Sequence, residues 1–300
     1  MTAGITIAID AMSGDDGPDI VVPAALAYLR RKSQERLLSL DKSPDANKAF
    51  NIILVGDQDK LRALLFENNN TKPSQATGKT SIENDSSQAE LETFSSSQSS
   101  EYSELPSNLS IVHAASIVEM DDRPSLVLRQ KRDSSMAVAL QLVKDGEADA
   151  CVSAGNTGAL MILGRAILGT YPGIDRPAIT KMFPSKGGGT FVLDLGANVD
   201  SSSEHLLQFA IMGQLLAKII KGIESPKVAL LNVGGESIKG NEQVRLAATL
   251  IEDSALVNYV GFAEGGDIFR SKADVMVCDG FVGNVALKSA EGAAKILLKE

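Results

Sequence analysis

One repeated pattern constrains this sequence more than any other feature: a short apolar run, a Gly-rich turn, and then a segment with helical periodicity. The apolar runs are rich in Val, Ile, Leu and Ala and show no alternation with polar residues. Strands of this kind are buried on both faces, as in a parallel sheet covered by helices. They occupy residues 5–10, 148–153, 190–195, 228–233 and 275–278. We also predict a strand at residues 109–113 and a long helix at residues 203–221.

The repeat predicts an α/β fold of three layers built on a mostly parallel sheet. We expect residues 1–300 to form a single catalytic α/β unit, with two lobes around a cleft. Ligands of such sheets bind at the carboxyl ends of the strands. We therefore expect all the Gly-rich turns to share one sheet edge: 11–18, 154–158, 196–200, 234–240 and 279–284.

Residues 72–104 depart from this pattern, since they are rich in Ser, Gln and acidic residues and have few apolar ones. Such a segment cannot bury enough apolar surface to offset the entropy lost on ordering. We predict a disordered, low-complexity insertion there. At the other end, the chain stops inside an amphipathic segment with no helix-ending signal, so we expect the natural protein to be longer.

Composition limits the kinds of molecule that the protein can bind and the cellular setting in which it works. A net charge of −9 disfavours nucleic acid as a partner, because neutralising phosphates needs a positive surface. Cys151 and Cys278 lie in apolar, strand-like runs, which predicts buried thiols in a reducing, cytoplasmic setting. We find neither a secretory signal nor a run of ~18 apolar residues, the length that spans a bilayer.

Familiar catalytic signatures are missing. The sequence contains no phosphate-binding P-loop, no dinucleotide-binding G-x-G-x-x-G after a strand, and no G-x-S-x-G nucleophile motif. The two histidines, His113 and His205, are not paired with cysteines as metal ligands would be. We therefore expect no cofactor, no bound metal and no covalent nucleophile. The attacking group would have to arrive from solution.

The turn of residues 153–158, Ser-Ala-Gly-Asn-Thr-Gly, suits an anion, because it opens a helix whose N–H groups and dipole favour negative charge. Lys239 adds a cation in another turn. Asp10 and Asp194 lie at strand ends and are candidates for the site. Strand-end carboxylates also cap the following helix, and we favour that role for Asp200 and Asp279.

Longer motifs carry a resemblance. The strings IAIDAMSGDDGPD, EMDDRPSLVLRQKRDSSMAVAL, ADACVSAGNTGALM, FVLDLGANVDSSSEHLLQFAIMG and KADVMVCDGFVGNVALKSAEGAAK, in this order, resemble the bacterial PlsX-type phosphate acyltransferases. The resemblance implies a fold similar to isocitrate and isopropylmalate dehydrogenases and to phosphotransacetylases. It also implies transfer of a fatty acyl group from acyl carrier protein to inorganic phosphate, giving acyl phosphate for phospholipid synthesis.

The same resemblance implies a homodimer associated peripherally with the membrane, whose product passes to a membrane glycerol-3-phosphate acyltransferase. Ser13 and Asp16 stand where the family has glycine and histidine, so a general base cannot be carried over to this turn. Two alternatives stay open. One is a phosphotransacetylase that uses acyl-coenzyme A; the other is a non-enzymatic membrane scaffold that uses the apolar helix of residues 206–220.

Phosphate is itself a nucleophile, so the site must orient it and stabilise the developing oxyanion. We predict Asn156, Asn198, Lys239 and Asp10 as catalytic residues, the two asparagines as oxyanion donors and Lys239 as a phosphate ligand. The predicted substrate-binding residues are Ser153, Gly155, Thr157, Gly158, Gly14, Asp15, Asp194, Gly280 and Asn284. Carrier-protein docking is predicted at Arg129, Lys131 and Arg132.

Overall fold

The computed structural model describes residues 4–38, 49–70, 106–236 and 238–298. They form two compact units, residues 1–168 and 169–300. The predicted insertion at 72–104 lies outside the described residues. Among the described residues, no helix is long and apolar enough to cross a membrane.

The first unit is built on four parallel strands in the order β3-β2-β1-β4. The strands are β1 Ile5–Asp10, β2 Phe50–Gly56, β3 Leu109–His113 and β4 Ala150–Ser153. The helices are α1 Pro18–Leu38, α2 Gln58–Asn70, α3 Pro124–Gln130, α4 Ser135–Lys144 and α5 Thr157–Leu168.

Burial on both faces explains the continuous apolar run of β2. In β2, Ile52 and Leu54 pack with α1 and α2, whereas Ile53 and Val55 face the opposite layer, which includes α4. Successive side chains of a strand point to opposite faces, so a strand covered on both sides needs an apolar residue at every position. The sheet of the first unit is therefore the middle of three layers.

The second unit has five strands in the order β5-β6-β9-β7-β8. They are β5 Thr180–Phe183, β6 Thr190–Leu193, β7 Val228–Leu231, β8 Tyr259–Ala263 and β9 Val275–Val277. Strand β5 is antiparallel to β6, and the other pairings are parallel. The helices are α6 Ser203–Lys221, α7 Glu242–Ser254 and α8 Gly280–Leu297, with a short 3₁₀ helix at Gly265–Phe269.

This sheet too is covered on both faces. Phe209 of α6 and Ile251 of α7 pack on one face, against Val275 and its neighbours. On the other face, Met276 packs with Ile268 of the 3₁₀ helix and the partly buried Leu287 of α8.

The α/β class and the mostly parallel strands are confirmed, but the expectation of one sheet edge shared by all five turns is wrong. The turns at 11–18 and 154–158 follow strands of the first sheet, and the other three follow strands of the second. Periodicity records that a strand is covered on both faces, and it carries no information on which strands pair with one another.

Candidate active site

In the first unit, Asp10 holds together the ends of the two neighbouring strands β1 and β4. It is the last residue of β1, is fully buried, and lies beside Ser153, the last residue of β4. Its Oδ2 accepts the Ser153 hydroxyl at 2.7 Å, and its Oδ1 accepts the backbone N–H groups of Met12 and Ser13 at 3.3 Å each. Asp10 therefore shapes the turn after its own strand and fixes the start of the turn at 153–158.

The turn at 153–158 is held by its own polar side chains. Ser153 Oγ accepts the N–H of Gly155 at 3.1 Å, and Asn156 Oδ1 accepts the N–H of Ala159 at 3.1 Å, which caps α5. Asn156 Nδ2 donates to the carbonyls of Met120 and Asp122 at 3.0 and 2.9 Å. Both amide hydrogens of the predicted oxyanion donor thus face backbone oxygens.

Two N–H groups of the same turn have no acceptor in the described part of the chain. The first backbone bond of α5 runs from Leu160 N to Asn156 O, so the N–H groups of Thr157 and Gly158 precede the helical ladder. Within the part of the chain that the structure describes, neither is hydrogen-bonded. Both residues are exposed. The N-terminus of α5 therefore offers two open backbone donors and the Thr157 hydroxyl.

Two glycines allow the turns after β1 and β4 to approach each other. Gly14 has a φ of +101°, and a Cβ there would lie 3.0 Å from the Ala154 carbonyl oxygen. A Cβ on Gly155 would lie 2.5 Å from the Cβ of Ser13. Ser13 is buried, and its hydroxyl has no hydrogen-bond partner among the described residues. These short distances show that the two turns pack backbone to backbone. The sequence analysis did not identify Ser13 as part of this cluster.

Lys131, which the sequence predicted as a docking residue, is half-buried and bound within the chain. Its ammonium forms an ion pair with Asp122 and donates to the Ile117 carbonyl at 2.7 Å. The Lys131 hydrogen bond, followed by the bond from the Glu119 N–H, holds the pKa of Asp122 below its usual value. Lys131 therefore stabilises the segment at 117–122, whose carbonyl oxygens accept hydrogen bonds from Asn156 Nδ2.

The other predicted polar residues of this unit lie at the surface. Arg129 and Arg132 are exposed, so both side chains are accessible to a docking partner. Asp15 is exposed in the turn after β1.

In the second unit, Asp194 organises the turn after β6. It is fully buried, and its carboxylate accepts five hydrogen bonds. Oδ1 accepts the N–H groups of Ile179, Gly196 and Ala197 at 2.9, 3.2 and 3.0 Å. Oδ2 accepts the backbone and side-chain N–H groups of Asn198 at 2.7 and 2.9 Å.

The side-chain amide of Asn198 is also hydrogen-bonded within the protein. Its Nδ2 also donates to the Pro177 carbonyl at 2.9 Å. In the described conformation, both of its amide hydrogens point at protein oxygens. Asp194 and Asn198 form a closed hydrogen-bonded unit that sets the shape of the turn.

Helix α8 begins against this turn. The N–H of Gly280 donates to the Asn198 carbonyl at 2.8 Å. A Cβ at Gly280 would lie 2.5 Å from that oxygen, and one at Gly283 would lie 1.8 Å from the Asp194 carbonyl oxygen. Glycine is required at both positions for close packing. Asn284 follows on α8, is exposed, and lies against Gly196.

Lys239 lies in the turn after β7, the strand next to β9 in the sheet. Its backbone carbonyl accepts Asn232 Nδ2 at 3.1 Å, and its ammonium pairs with Glu236 at 2.9 Å. The Glu236 carboxylate raises the pKa of Lys239, first through the hydrogen bond and then through its charge. Lys239 is exposed, so a solute anion can compete with Glu236 for it.

The cysteines and histidines have structural surroundings: Cys278 is buried, as predicted, and Cys151 is half-buried. His205 Nδ1 accepts the Ser202 N–H at 3.1 Å and caps α6, and His113 Nδ1 accepts the Gln58 N–H at 3.4 Å. Burial, and then the Asp10 charge, raises the pKa of the Cys151 thiol to about 12. Burial also raises the pKa of Cys278. A thiolate nucleophile is disfavoured at both positions.

Comparison with known proteins decides the family. A family model described as "Fatty acid synthesis protein" matches residues 85–299. The phosphate acyltransferase of Marinobacter nauticus is 48% identical over 295 residues, which cover 98% of this chain and 72% of that protein. The chain belongs to the phosphate acyltransferase family. A Legionella pneumophila member is 46% identical over 294 residues, covering 98% of this chain and 72% of its own.

Membership confirms the resemblance and makes the chain an acyltransferase. Solved structures confirm the fold. The EutD phosphotransacetylase from Staphylococcus aureus has a TM-score of 0.56 at 17% identity, over 97% of this chain and 83% of its own. A Streptococcus pyogenes phosphotransacetylase has a TM-score of 0.58 at 14% identity, over 97% of this chain and 82% of its own.

Proposed function

We propose that this chain transfers a fatty acyl group from the thioester of acyl carrier protein to inorganic phosphate. A phosphate oxygen attacks the thioester carbonyl carbon, the carbon–sulfur bond breaks, and the carrier leaves as a thiolate that takes up a proton. The products are acyl phosphate and free carrier. A thiol with a pKa of about 8.5 leaves without strong acid assistance, so positioning and electrostatics carry the reaction.

The observation that supports this proposal most directly is the open N-terminus of α5. The N–H groups of Thr157 and Gly158 have no acceptor among the described residues, and the helix dipole adds positive potential at the same point. Ser153 is less suited to bind phosphate than we predicted, because its hydroxyl hydrogen is donated to Asp10. We assign Ser153, Asp10 and Asn156 to positioning the turn, and Thr157 and Gly158 to binding phosphate.

In the second unit, we propose that Lys239 binds an anionic part of a substrate and that Asp194 and Asn198 position the turn. Asn284 is the better candidate for an oxyanion donor there. It is exposed, and its amide has no hydrogen-bond partner in the described segments. Gly280 supports the same turn through its backbone.

An acidic carrier protein as acyl donor is supported by Arg129 and Arg132, which are exposed near the end of α3. We further propose the homodimer, the peripheral membrane location in the cytoplasm and the transfer of product to a membrane glycerol-3-phosphate acyltransferase. Together these would place the reaction in phospholipid synthesis.

Hydroxylamine trapping tests the proposal, because acyl phosphates react with hydroxylamine to give acyl hydroxamates. The chain is incubated with palmitoyl carrier protein or palmitoyl-coenzyme A at equal concentration, with and without phosphate. Hydroxylamine also attacks thioesters slowly, so the rate without the chain is subtracted. We expect the remaining hydroxamate to depend on phosphate and to form faster from the carrier. Preference for coenzyme A would favour a phosphotransacetylase, and chain-dependent hydroxamate that does not require phosphate would refute phosphate as the acceptor.

A further inference from the structure

Arg176 is a cation of the second unit to which the assignments above give no role. Among the described residues of this unit, two lysine or arginine side chains are half-buried, Arg176 and Lys221. Lys221 forms an ion pair with Asp274 at 3.1 Å. Within the described part of the chain, Arg176 forms no hydrogen bond and no ion pair. A partly buried charge without a partner is unfavourable, so this guanidinium favours an anion that comes from outside the chain.

Hydrogen bonds fix the backbone on both sides of Arg176. On one side, the N–H and the carboxylate of Asp175 bond to the side chain of Gln208, each at 2.8 Å. On the other side, the carbonyl of Pro177 accepts Asn198 Nδ2 at 2.9 Å. The Asp175 carboxylate is therefore occupied by Gln208, and Arg176 is held next to Asn198 by a fixed backbone.

The carboxylates of the adjoining turns do not neutralise Arg176. Asp279 Oδ1 accepts the N–H of Val282 at 2.9 Å and caps α8. Asp200 is exposed. Among the residues that the structure describes, neither carboxylate forms an ion pair with Arg176. The guanidinium is therefore free to bind an anion from solution.

Two exposed apolar side chains lie next to the same asparagine. Val199 follows Asn198 in the chain and is 63% exposed. Phe281 is also 63% exposed and follows Gly280, whose N–H donates to the Asn198 carbonyl at 2.8 Å. Three chain segments thus meet at Asn198, one with the cation and two with exposed apolar side chains. Such a surface suits an anion with an organic body, because a small hydrated anion gains nothing from apolar contacts.

We propose that Arg176 binds the phosphate of the phosphopantetheine arm that carries the acyl thioester, with Val199 and Phe281 beside the arm. A guanidinium suits a phosphate because its N–H donors can form two parallel hydrogen bonds to the phosphate oxygens. From that phosphate the arm continues as methyl, methylene and amide groups, which match exposed apolar side chains. Inorganic phosphate is already assigned to the N-terminus of α5 in the first unit, so Arg176 is assigned to the donor.

This inference deepens the proposed function and rests on it in one respect, that the acyl donor is a phosphopantetheine thioester. Acyl carrier protein and coenzyme A both hold their thioester on this arm. The role of Arg176 is therefore the same whichever of the two is the donor.

Chemical labelling of arginine tests the proposal at the residue itself. Phenylglyoxal reacts with accessible, unpaired guanidinium groups, and mass spectrometry of the digested chain gives the rate at each arginine. We expect 4′-phosphopantetheine to slow the labelling of Arg176 several-fold and pantetheine, which lacks the phosphate, to leave it unchanged. Arg270 is the matched control, because its side chain is 74% exposed and it precedes β9, whereas Gly280 follows that strand.

Steady-state kinetics give a second measurement, with octanoyl-4′-phosphopantetheine and octanoyl-pantetheine as acyl donors. We expect Arg176→Met to reduce the preference for the phosphorylated donor, measured as the ratio of the two kcat/KM values, roughly tenfold. The KM for inorganic phosphate should not change. Arg176→Lys should keep part of the preference, and Arg270→Met should keep all of it. A purely structural effect of Arg176→Met would lower both kcat/KM values together and leave their ratio unchanged.

Two results would overturn the proposal. One is equal labelling of Arg176 with and without phosphopantetheine; the other is equal protection of Arg176 by inorganic phosphate at the same concentration. The labelling uses the wild-type chain, so it decides the question even if Arg176→Met fails to fold. Protection of Arg176 in a chain that makes no acyl phosphate would refute the proposed function and leave this inference standing. Turnover with an unprotected Arg176 would refute this inference alone.

Discussion

Asp194→Asn is the substitution that best tests how the turn after β6 is built. The change keeps the shape of the side chain but replaces one carboxylate oxygen by an NH₂ group, which cannot accept a hydrogen bond. Asp194 Oδ1 accepts three hydrogen bonds and Oδ2 accepts two. Whichever way the new amide turns, at least two N–H donors lose their acceptor and face another donor.

The expected loss of stability follows from these contacts. An unsatisfied buried donor costs about 1–3 kcal/mol, so two of them cost about 2–6 kcal/mol. Rotation of the Asn198 side chain can relieve one of them, so we expect about 3 kcal/mol. Asp200→Asn is the matched control in the same turn. Asp200 is exposed and has no partner among the described residues, so that change should stay within about 0.5 kcal/mol.

Urea unfolding followed by far-UV circular dichroism measures the loss, because the chain contains no tryptophan for fluorescence. Amide hydrogen exchange adds a local readout. The N–H groups of Gly196, Ala197 and Asn198 should exchange faster in Asp194→Asn than in Asp200→Asn. A free-energy difference of less than about 1 kcal/mol between the two variants, with equal exchange in the turn, would refute this account of Asp194.

Three further predictions concern the two units separately. Lys239→Ala should raise the KM for phosphate, or lower kcat, roughly tenfold. Glu236→Gln should leave that KM unchanged or lower it, because the Lys239 ammonium loses its ion pair. Unchanged steady-state kinetics in Lys239→Ala would contradict the role of Lys239 in binding an anion. Gly155→Ala should cost about 1–3 kcal/mol through overpacking, and adding Ser13→Gly should recover part of it in urea unfolding; strictly additive losses would mean that the two do not collide. With its pKa raised to about 12 by burial and Asp10, Cys151 should resist iodoacetamide at pH values near neutrality in the folded chain and react in urea, as mass spectrometry can show; equal rates in both would contradict this.

The sequence predicted some elements at their observed bounds. Helix α6 was predicted from Ser203 to Lys221 and has those bounds, since Ser202 caps it and the left-handed Gly222 ends it. Strand β3 was also predicted at its observed bounds. Strand β5 was missed because it is an antiparallel strand at the sheet edge, with three of its four residues exposed. Its sequence therefore lacks the continuous apolar run that marked the others.

The sequence predicted that Asp10 and Asp194 lie at strand ends, but it did not predict what their carboxylates contact. In the structure both are fully buried. Their hydrogen bonds join residues far apart in the chain, such as Asp10 with Ser153 and Asp194 with Ile179. Residue type alone cannot show whether a carboxylate faces a ligand or the backbone of its own turn. Lys131 illustrates the same limit, because its partner Asp122 is brought close only by the fold.

Backbone donors separate two turns that look alike in sequence. Both follow a short apolar strand and contain small residues and an asparagine. In the turn at 196–200, the N–H groups of Gly196, Ala197 and Asn198 all donate to Asp194, so they are not open to a ligand. In the turn at 153–158, the N–H groups of Thr157 and Gly158 have no acceptor among the described residues.

Replacement of a backbone donor tests this distinction directly. An N–H that binds phosphate should matter to phosphate affinity, whereas one that is satisfied by a carboxylate should matter to stability. Thr157→Pro would remove an open donor at the first position of α5, where proline is favoured, and Thr157→Ala measures the loss of the hydroxyl alone. Ala197→Pro would remove a donor that Asp194 needs. We expect Thr157→Pro to raise the phosphate KM with little loss of stability, and Ala197→Pro to destabilise the chain. The reverse pattern would indicate that phosphate binds at the turn at 196–200, which would contradict our assignment.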